Sequence, residues 1–154
     1  MAVKSTNTPT SLILSRQNLP LLKGSSVEGV GKGAYVVSKE AKEAKFVIIA
    51  TGSEVSLAIE AQKQLLEKGI DVRVVSMPSW ELFEEQSEEY KQSVLLLRRK
   101  YRISVEMLST FGWDRYAKYH MGVDTFGASA PAKDVFKKFD FTSEHLVKLI
   151  ESIK

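Results

Sequence analysis

The sequence predicts an α/β domain, a three-layer αβα sandwich built on a sheet of about five strands. Three observations carry that prediction. Residues 46–51 (FVIIAT) form a continuous apolar run, typical of strands covered on both faces of a parallel sheet. Residues 54–68 place Val55, Ala58, Ile59, Gln62, Leu65 and Leu66 three or four apart, which makes one face of a helix mostly apolar. Residues 72–77 (VRVVSM) are a second strand. Strand, helix and strand within about thirty residues make a βαβ unit, right-handed by the usual rule.

The other elements follow along the chain. Residues 1–10 (MAVKSTNTPT) are polar and aperiodic, a flexible lead-in. Ser11-Leu12-Ile13-Leu14-Ser15 is a short apolar run fit for a strand, and Arg16-Gln17-Asn18 come next. Pro20 bars a continuing central strand, and residues 21–32 are glycine-rich and loop-like. A strand that feeds a long loop is an odd start for an independent domain and reads as the last strand of something else. The chain therefore divides into an arm and linker over 1–32, from the end of a preceding domain, and a domain proper over 33–154.

Within the domain, residues 33–37 are a modest strand. Ser53 is placed to cap the helix over 54–68. Gly69 stands where a left-handed residue ends that helix, with Ile70 closing back on Leu65. Pro78 ends the strand over 72–77. Leu82, Phe83 and Tyr90 are spaced like anchors of one or two short helices across 80–92. Residues 93–97 fit a strand or a helix tail, while 101–107 alternate better and are the preferred strand. Residues 109–116 (STFGWDRY) run as a loop into a short helix, and 121–126 are a candidate last strand. Pro131 suits the first turn of a helix reaching Phe139. Thr142 can cap a final helix whose inner stripe is Leu146, Leu149, Ile150 and Ile153.

Composition removes several classes of chemistry. The chain has 154 residues, the size of one domain. It has no cysteine, so disulfides, thiolate nucleophiles and cysteine metal sites are excluded. His120 and His145 are its two histidines, too few for a histidine-rich metal cage. The formal net charge is +3. The one dense basic run is Arg98-Arg99-Lys100 with Arg102 close behind, and the rest of the surface is mixed in sign, which argues against nucleic acid as a partner. No apolar run approaches the length of a membrane span, and no secretory leader opens the sequence. The expected location is the cytoplasm.

Several residues invite a chemical reading and a plainer one. Thr51-Gly52-Ser53 joins a parallel strand to a helix. Its amides can hold an anion, or it is a tight, capped turn. Glu106 lies late in a strand. It is a candidate acid or base if buried, and otherwise a partner for Ser109 or Thr110 or a subunit contact. Phe111, Trp113, Tyr116, Tyr119 and Phe126 suit base stacking, or core packing or an oligomer interface. Asp114 and Arg115 can pair with each other or across an interface. His120 and His145 read as ordinary half-exposed side chains. Arg16 stands in a polar tip beyond the domain core. An arginine fork suits a phosphate monoester on a small substrate, and a surface salt bridge is the plainer reading.

Five segments then carry a resemblance. Ser15-Arg16-Gln17-Asn18-Leu19-Pro20, Ala50-Thr51-Gly52-Ser53-Glu54-Val55, Val72-Arg73-Val74-Val75-Ser76-Met77-Pro78-Ser79, Ser109-Thr110-Phe111-Gly112-Trp113 and Phe126-Gly127-Ala128-Ser129-Ala130-Pro131 all resemble transketolase segments. They occur in the family's order and span nearly the whole chain from about residue 10. The resemblance is to the C-terminal domain and the tail end of the pyrimidine-binding domain before it. It implies a mixed five-stranded sheet whose first strand, residues 33–37, is antiparallel to the rest.

The resemblance also implies a parent that transfers a two-carbon ketol unit from a ketose phosphate to an aldose phosphate, in the pentose phosphate pathway. That parent would use thiamine diphosphate with Mg2+ or Ca2+ and work as a homodimer. The cofactor is expected to do the carbon chemistry while protein groups place sugars and phosphates. Arg16 is the expected ligand of the substrate phosphate. No catalytic, cofactor-binding or metal-binding residue carries over, so the chain itself is expected to be inactive and to hold no cofactor. The family's C-terminal domain stands away from the cofactor and supports the dimer, and a regulatory site in it has been suspected. Two alternatives fit the same motifs: a stand-alone module that complements a separate thiamine-dependent subunit, and dihydroxyacetone synthase as the parent. One stretch, LLLRRKYRISVEM over 95–107, departs from the family's usual pattern of small residues before the S-T-F-G-W segment.

Overall fold

The computed structural model describes residues 2–15 and 17–153. Its centre is a five-stranded mixed sheet: β1 (Tyr35–Ser38), β2 (Phe46–Ala50), β3 (Val72–Ser76), β4 (Arg102–Val105) and β5 (Tyr119–Met121). The strands lie in the order β1-β3-β2-β4-β5. β1 runs antiparallel to β3, and the other pairs are parallel. Among the described residues six α-helices accompany the sheet: α1 (Val27–Gly31), α2 (Glu54–Glu67), α3 (Trp80–Glu84), α4 (Glu88–Leu95), α5 (Ala132–Lys138) and α6 (Ser143–Ser152).

The apolar run of β2 is continuous because each of its faces meets a different layer. Ile48 and Ala50 join the core shared with α2 and α6, where Val55, Leu65, Leu146 and Ile150 are buried. Val47 and Ile49 face the opposite layer, packing with Phe83, Val94, Trp113 and Tyr116. Helices therefore cover both faces, as predicted. α2 ends in the expected Schellman geometry. Gly69 has φ of 76°, the amide of Ile70 donates to the carbonyl of Leu65 at 2.9 Å, and that of Gly69 donates to Leu66 at 3.0 Å. Thr142 caps α6 by accepting from the amide of His145 at 3.1 Å.

Some local expectations are corrected. Residues 11–15 form no strand, and Leu12, Ile13 and Leu14 are exposed. A strand needs a partner for its backbone groups, and the described backbone offers this segment none. Part of the glycine-rich linker is the short helix α1, capped by the Ser26 hydroxyl. The last strand is Tyr119–Met121 rather than 121–126. It stops where the Gly122 region turns toward Leu108, whose carbonyl accepts from the amide of Val123 at 3.0 Å. Residues 93–95 are the tail of α4, with Leu96 as its C-cap, and Pro131 is the N-cap of α5.

The buried charge of the sheet is Arg73 on β3. Its guanidinium makes two bonds of 2.7 Å to the carboxylate of Glu40, and both side chains are nearly inaccessible (8% and 9%). It also donates to the carbonyls of Ser93 and Val94 at the end of α4, where a cation complements the helix dipole. The Arg73 cation holds the Glu40 carboxyl below its ordinary value against the opposing effect of burial. Replacing Arg73 by Met strands a buried carboxylate and two helix-end carbonyls. Urea denaturation is expected to show a loss of about 3–5 kcal/mol, much of it regained in the double variant with Glu40→Met.

Candidate functional site

Parallel pairing brings three strand ends together. Ala50 lies opposite both Ser76 and Val105, so Thr51, Met77 and Glu106 leave the sheet side by side. The carboxyl end of such a sheet is where α/β folds bind ligands. Two adjoining clefts open there and share Thr51, Pro78, Glu106 and Leu108. One, of about 320 Å³, is walled by Trp80, Phe111 and Trp113, with Glu81 at its side. The other, of about 580 Å³, runs between arm residues Ile13, Leu14, Ser15 and Gln17, the β2–α2 turn, and Val135 and Phe136 of α5.

The β2–α2 turn is tight, with Gly52 at φ 55°. Ser53 does not cap α2, contrary to expectation, because it has already entered the helical conformation. Its hydroxyl donates instead to Glu54 Oε1 at 2.7 Å. Glu54 is 5% exposed. Burial pushes its carboxyl above the usual value, against the pull of the Ser53 hydrogen bond.

Glu106 sits one residue beyond β4 and is half-buried. Burial raises its carboxyl first, and the charge of Glu54 raises it further. Its Oε1 accepts from the amide of Leu108 at 3.2 Å. Ser109 and Thr110, the partners considered for it, are held by Asp124 instead. That carboxylate accepts from the Ser109 hydroxyl at 2.8 Å, the Thr110 amide at 2.8 Å and the Thr110 hydroxyl at 2.7 Å.

The predicted aromatic cluster divides. Trp113 and Tyr116 are buried, whereas Phe111 and Phe126 are exposed and Tyr119 is intermediate. The buried pair meets Trp80, a residue the sequence reading left aside. The Trp80 and Trp113 rings meet edge to face, 5.0 Å apart at 88°. Gly112 has φ of 85°, and a Cβ there would come within 2.8 Å of the Trp80 ring, so the loop needs glycine on both counts. The Tyr116 hydroxyl donates to Glu84 at 2.7 Å, and burial together with that bond pushes it up to about 12.

The remaining candidates resolve into structural roles. Asp114 and Arg115 do not pair with each other. Asp114 meets Arg99 and His120, and Arg115 meets Glu84. His120 bonds Ser104 Oγ through Nδ1 at 2.7 Å and reaches Asp114 through Nε2 at 3.4 Å. This looks like a hydrolytic triad, but Ser104 is 1% exposed within the sheet and cannot meet a substrate. His145 bonds Asp140 at 2.6 Å. In the basic run, Arg102 turns inward and donates to the carbonyls of Leu97 and Tyr116. Arg16 lies outside the described residues. Among the described residues no group of three or more acidic or histidine side chains is arranged to hold a metal ion, and no helix is long and apolar enough to cross a membrane.

Fold and clefts define a three-layer αβα domain with two adjoining clefts at the carboxyl end of its sheet. The chain belongs to the transketolase family. Residues 33–142 match the family model of the transketolase-like TK C-terminal domain. A transketolase of Bacillus subtilis is 48% identical over 160 aligned residues, which cover 99% of this chain and 24% of the relative. The solved transketolase of Leishmania mexicana superposes with a TM-score of 0.92 at 46% identity, over 98% of this chain and 22% of that one. A Pichia stipitis transketolase solved in complex with sedoheptulose 7-phosphate has a TM-score of 0.82 at 47% identity, over 90% and 20%. The chain thus spans about a quarter of the length of its curated relatives.

The paired carboxyls make a pH prediction. Because their folded-state values are raised, protonated Glu54 and Glu106 favour the fold, and that contribution is lost as pH rises through the raised values. Glu54→Gln keeps an acceptor for Ser53 and removes the buried charge. Its Tm is expected to exceed that of the unaltered chain at pH 8, with the difference shrinking toward pH 4 in thermal melts.

Proposed function

We propose that this chain is the C-terminal part of a thiamine-diphosphate-dependent transketolase, which moves a two-carbon ketol unit from a ketose phosphate to an aldose phosphate. The observation that carries this reading is identity of 45–48% along 99% of the chain to proteins named transketolase. In this reading, residues 1–32 are the arm and linker from a preceding domain, and 33–154 are the C-terminal domain. The exposed run Leu12-Ile13-Leu14 is then an apolar segment covered by that preceding domain.

Among the described residues no acidic or histidine cluster is arranged to hold the metal ion that accompanies thiamine diphosphate. Both groups are assigned to the rest of the parent, where the cofactor supplies the carbanion chemistry. This chain's contribution to the substrate is Arg16, whose planar fork suits a phosphate monoester. The parent is read as a cytoplasmic homodimer acting on sugar phosphates, with the present domain supporting the dimer.

Two measurements test this reading. The purified chain, given thiamine diphosphate, Mg2+ and pentose phosphates, is expected to show no ketol transfer, and measurable turnover contradicts the assignment. In a full-length transketolase carrying this sequence, Arg16→Ala is expected to cost about 2 kcal/mol in kcat/KM for phosphorylated sugars. It should leave free sugars little changed, whereas equal losses on both substrate kinds remove the phosphate role.

A further inference from the structure

We propose that the smaller cleft at the carboxyl end of the sheet binds an organic cation, a quaternary ammonium or alkylated amine, against Trp80 and Phe111, backed by the buried Trp113, and beside the carboxylates of Glu81 and Glu106. Its volume of about 320 Å³ lies within the roughly 300–1,000 Å³ of small-ligand pockets. Its walls combine the two features that select a cation with an apolar coat. Aromatic rings attract positive charge through their π faces, and carboxylates add a net negative field that a neutral ligand does not use.

The lining contains no lysine, arginine or histidine among the described residues. Among the described residues neither carboxylate is paired with a cation. The Glu81 carboxylate meets the Ser79 hydroxyl at 3.1 Å, and that of Glu106 meets a backbone amide. Glu106 also feels the like charge of Glu54. A cation entering the cleft relieves that repulsion.

The walls are built before any ligand arrives. Trp113 is buried and locked edge to face against Trp80. Phe111, 90% exposed, stands at the rim on a loop that Asp124 fastens by three hydrogen bonds. An exposed phenylalanine on a tethered loop costs little further ordering when it closes on a ligand. The ligand class is set by the methylated or alkylated surface that aromatic faces accommodate, together with a full positive charge.

The chain's own fluorescence reports on the cleft, because its two tryptophans are Trp80 and Trp113. Titrating the purified chain at pH 8 and constant ionic strength with choline chloride is expected to change tryptophan emission saturably. The neutral isostere 3,3-dimethylbutan-1-ol should bind at least about tenfold more weakly. Glu106→Gln and Glu81→Gln, each checked for an unchanged circular dichroism spectrum, are expected to weaken choline binding, by about tenfold in at least one of them. Glu81 is at the surface, so its variant remains informative if the Glu106 variant does not fold. The proposal is overturned by an isostere that binds as tightly as choline, by the absence of a saturable response, or by choline affinity unchanged in the carboxylate variants that fold.

Discussion

The parallel register of β2 with both β3 and β4 is the constraint on which the rest of this molecule depends. Because Ala50 is level with Ser76 and with Val105, three loops are forced to leave one end of the sheet together. Each brings a different chemical character: Thr51-Gly52-Ser53 a tight turn into a helix, Met77-Pro78 an apolar shelf, and Glu106 a half-buried carboxyl. A slip of one residue in either pairing would turn a strand's buried set to the opposite face. The layers beneath α2 and α6 on one side, and beneath α3 and α4 on the other, would then both lose their packing.

Charge is handled differently at different places in the fold. Arg73 and Glu40 are buried as a closed, bidentate pair, and the remaining donor of the guanidinium satisfies the end of α4. Nothing is left over for a ligand. At the carboxyl end Glu54 and Glu106 are brought near each other without a cation among the described residues, and burial raises both. Part of the basic run at the opposite end is engaged locally, as Arg99 meets Asp114 and Arg102 bonds two carbonyls. The contrast leaves unneutralised carboxyls at the strand ends among the described residues, whereas part of the basic run is already paired.

Most of the fold was legible because it rests on local rules. The run from Phe46 to Ala50, the spacing of α2, Gly69 beyond its end and Thr142 before α6 each have one physical reading, and the structure realises it. The antiparallel first strand was legible only by resemblance, since nothing in residues 33–37 fixes a direction. Ser53 misled because capping depends on a backbone conformation that composition does not reveal. Arg102 gave no sign that it turns inward. The site was less legible for the same reason that it is a site. Trp80 lies on a different segment from Glu106 and Trp113 and meets them only through the register of the strands. Glu106 was visible as a carboxylate late in a strand, whereas nothing in the sequence ties Trp80 to Gly112, whose missing side chain leaves room for its ring.

The central claim is that ligand chemistry resides where the three parallel strands end. Backbone and indole amide chemical shifts of the 15N-labelled chain, followed as choline is added, test it most directly. Shifts are expected to concentrate on Thr51, Met77, Trp80, Glu106 and Trp113 and to saturate together, with Arg98, Arg99 and Lys100 unmoved. Shifts centred on that basic run, or none at the strand ends, would contradict the account.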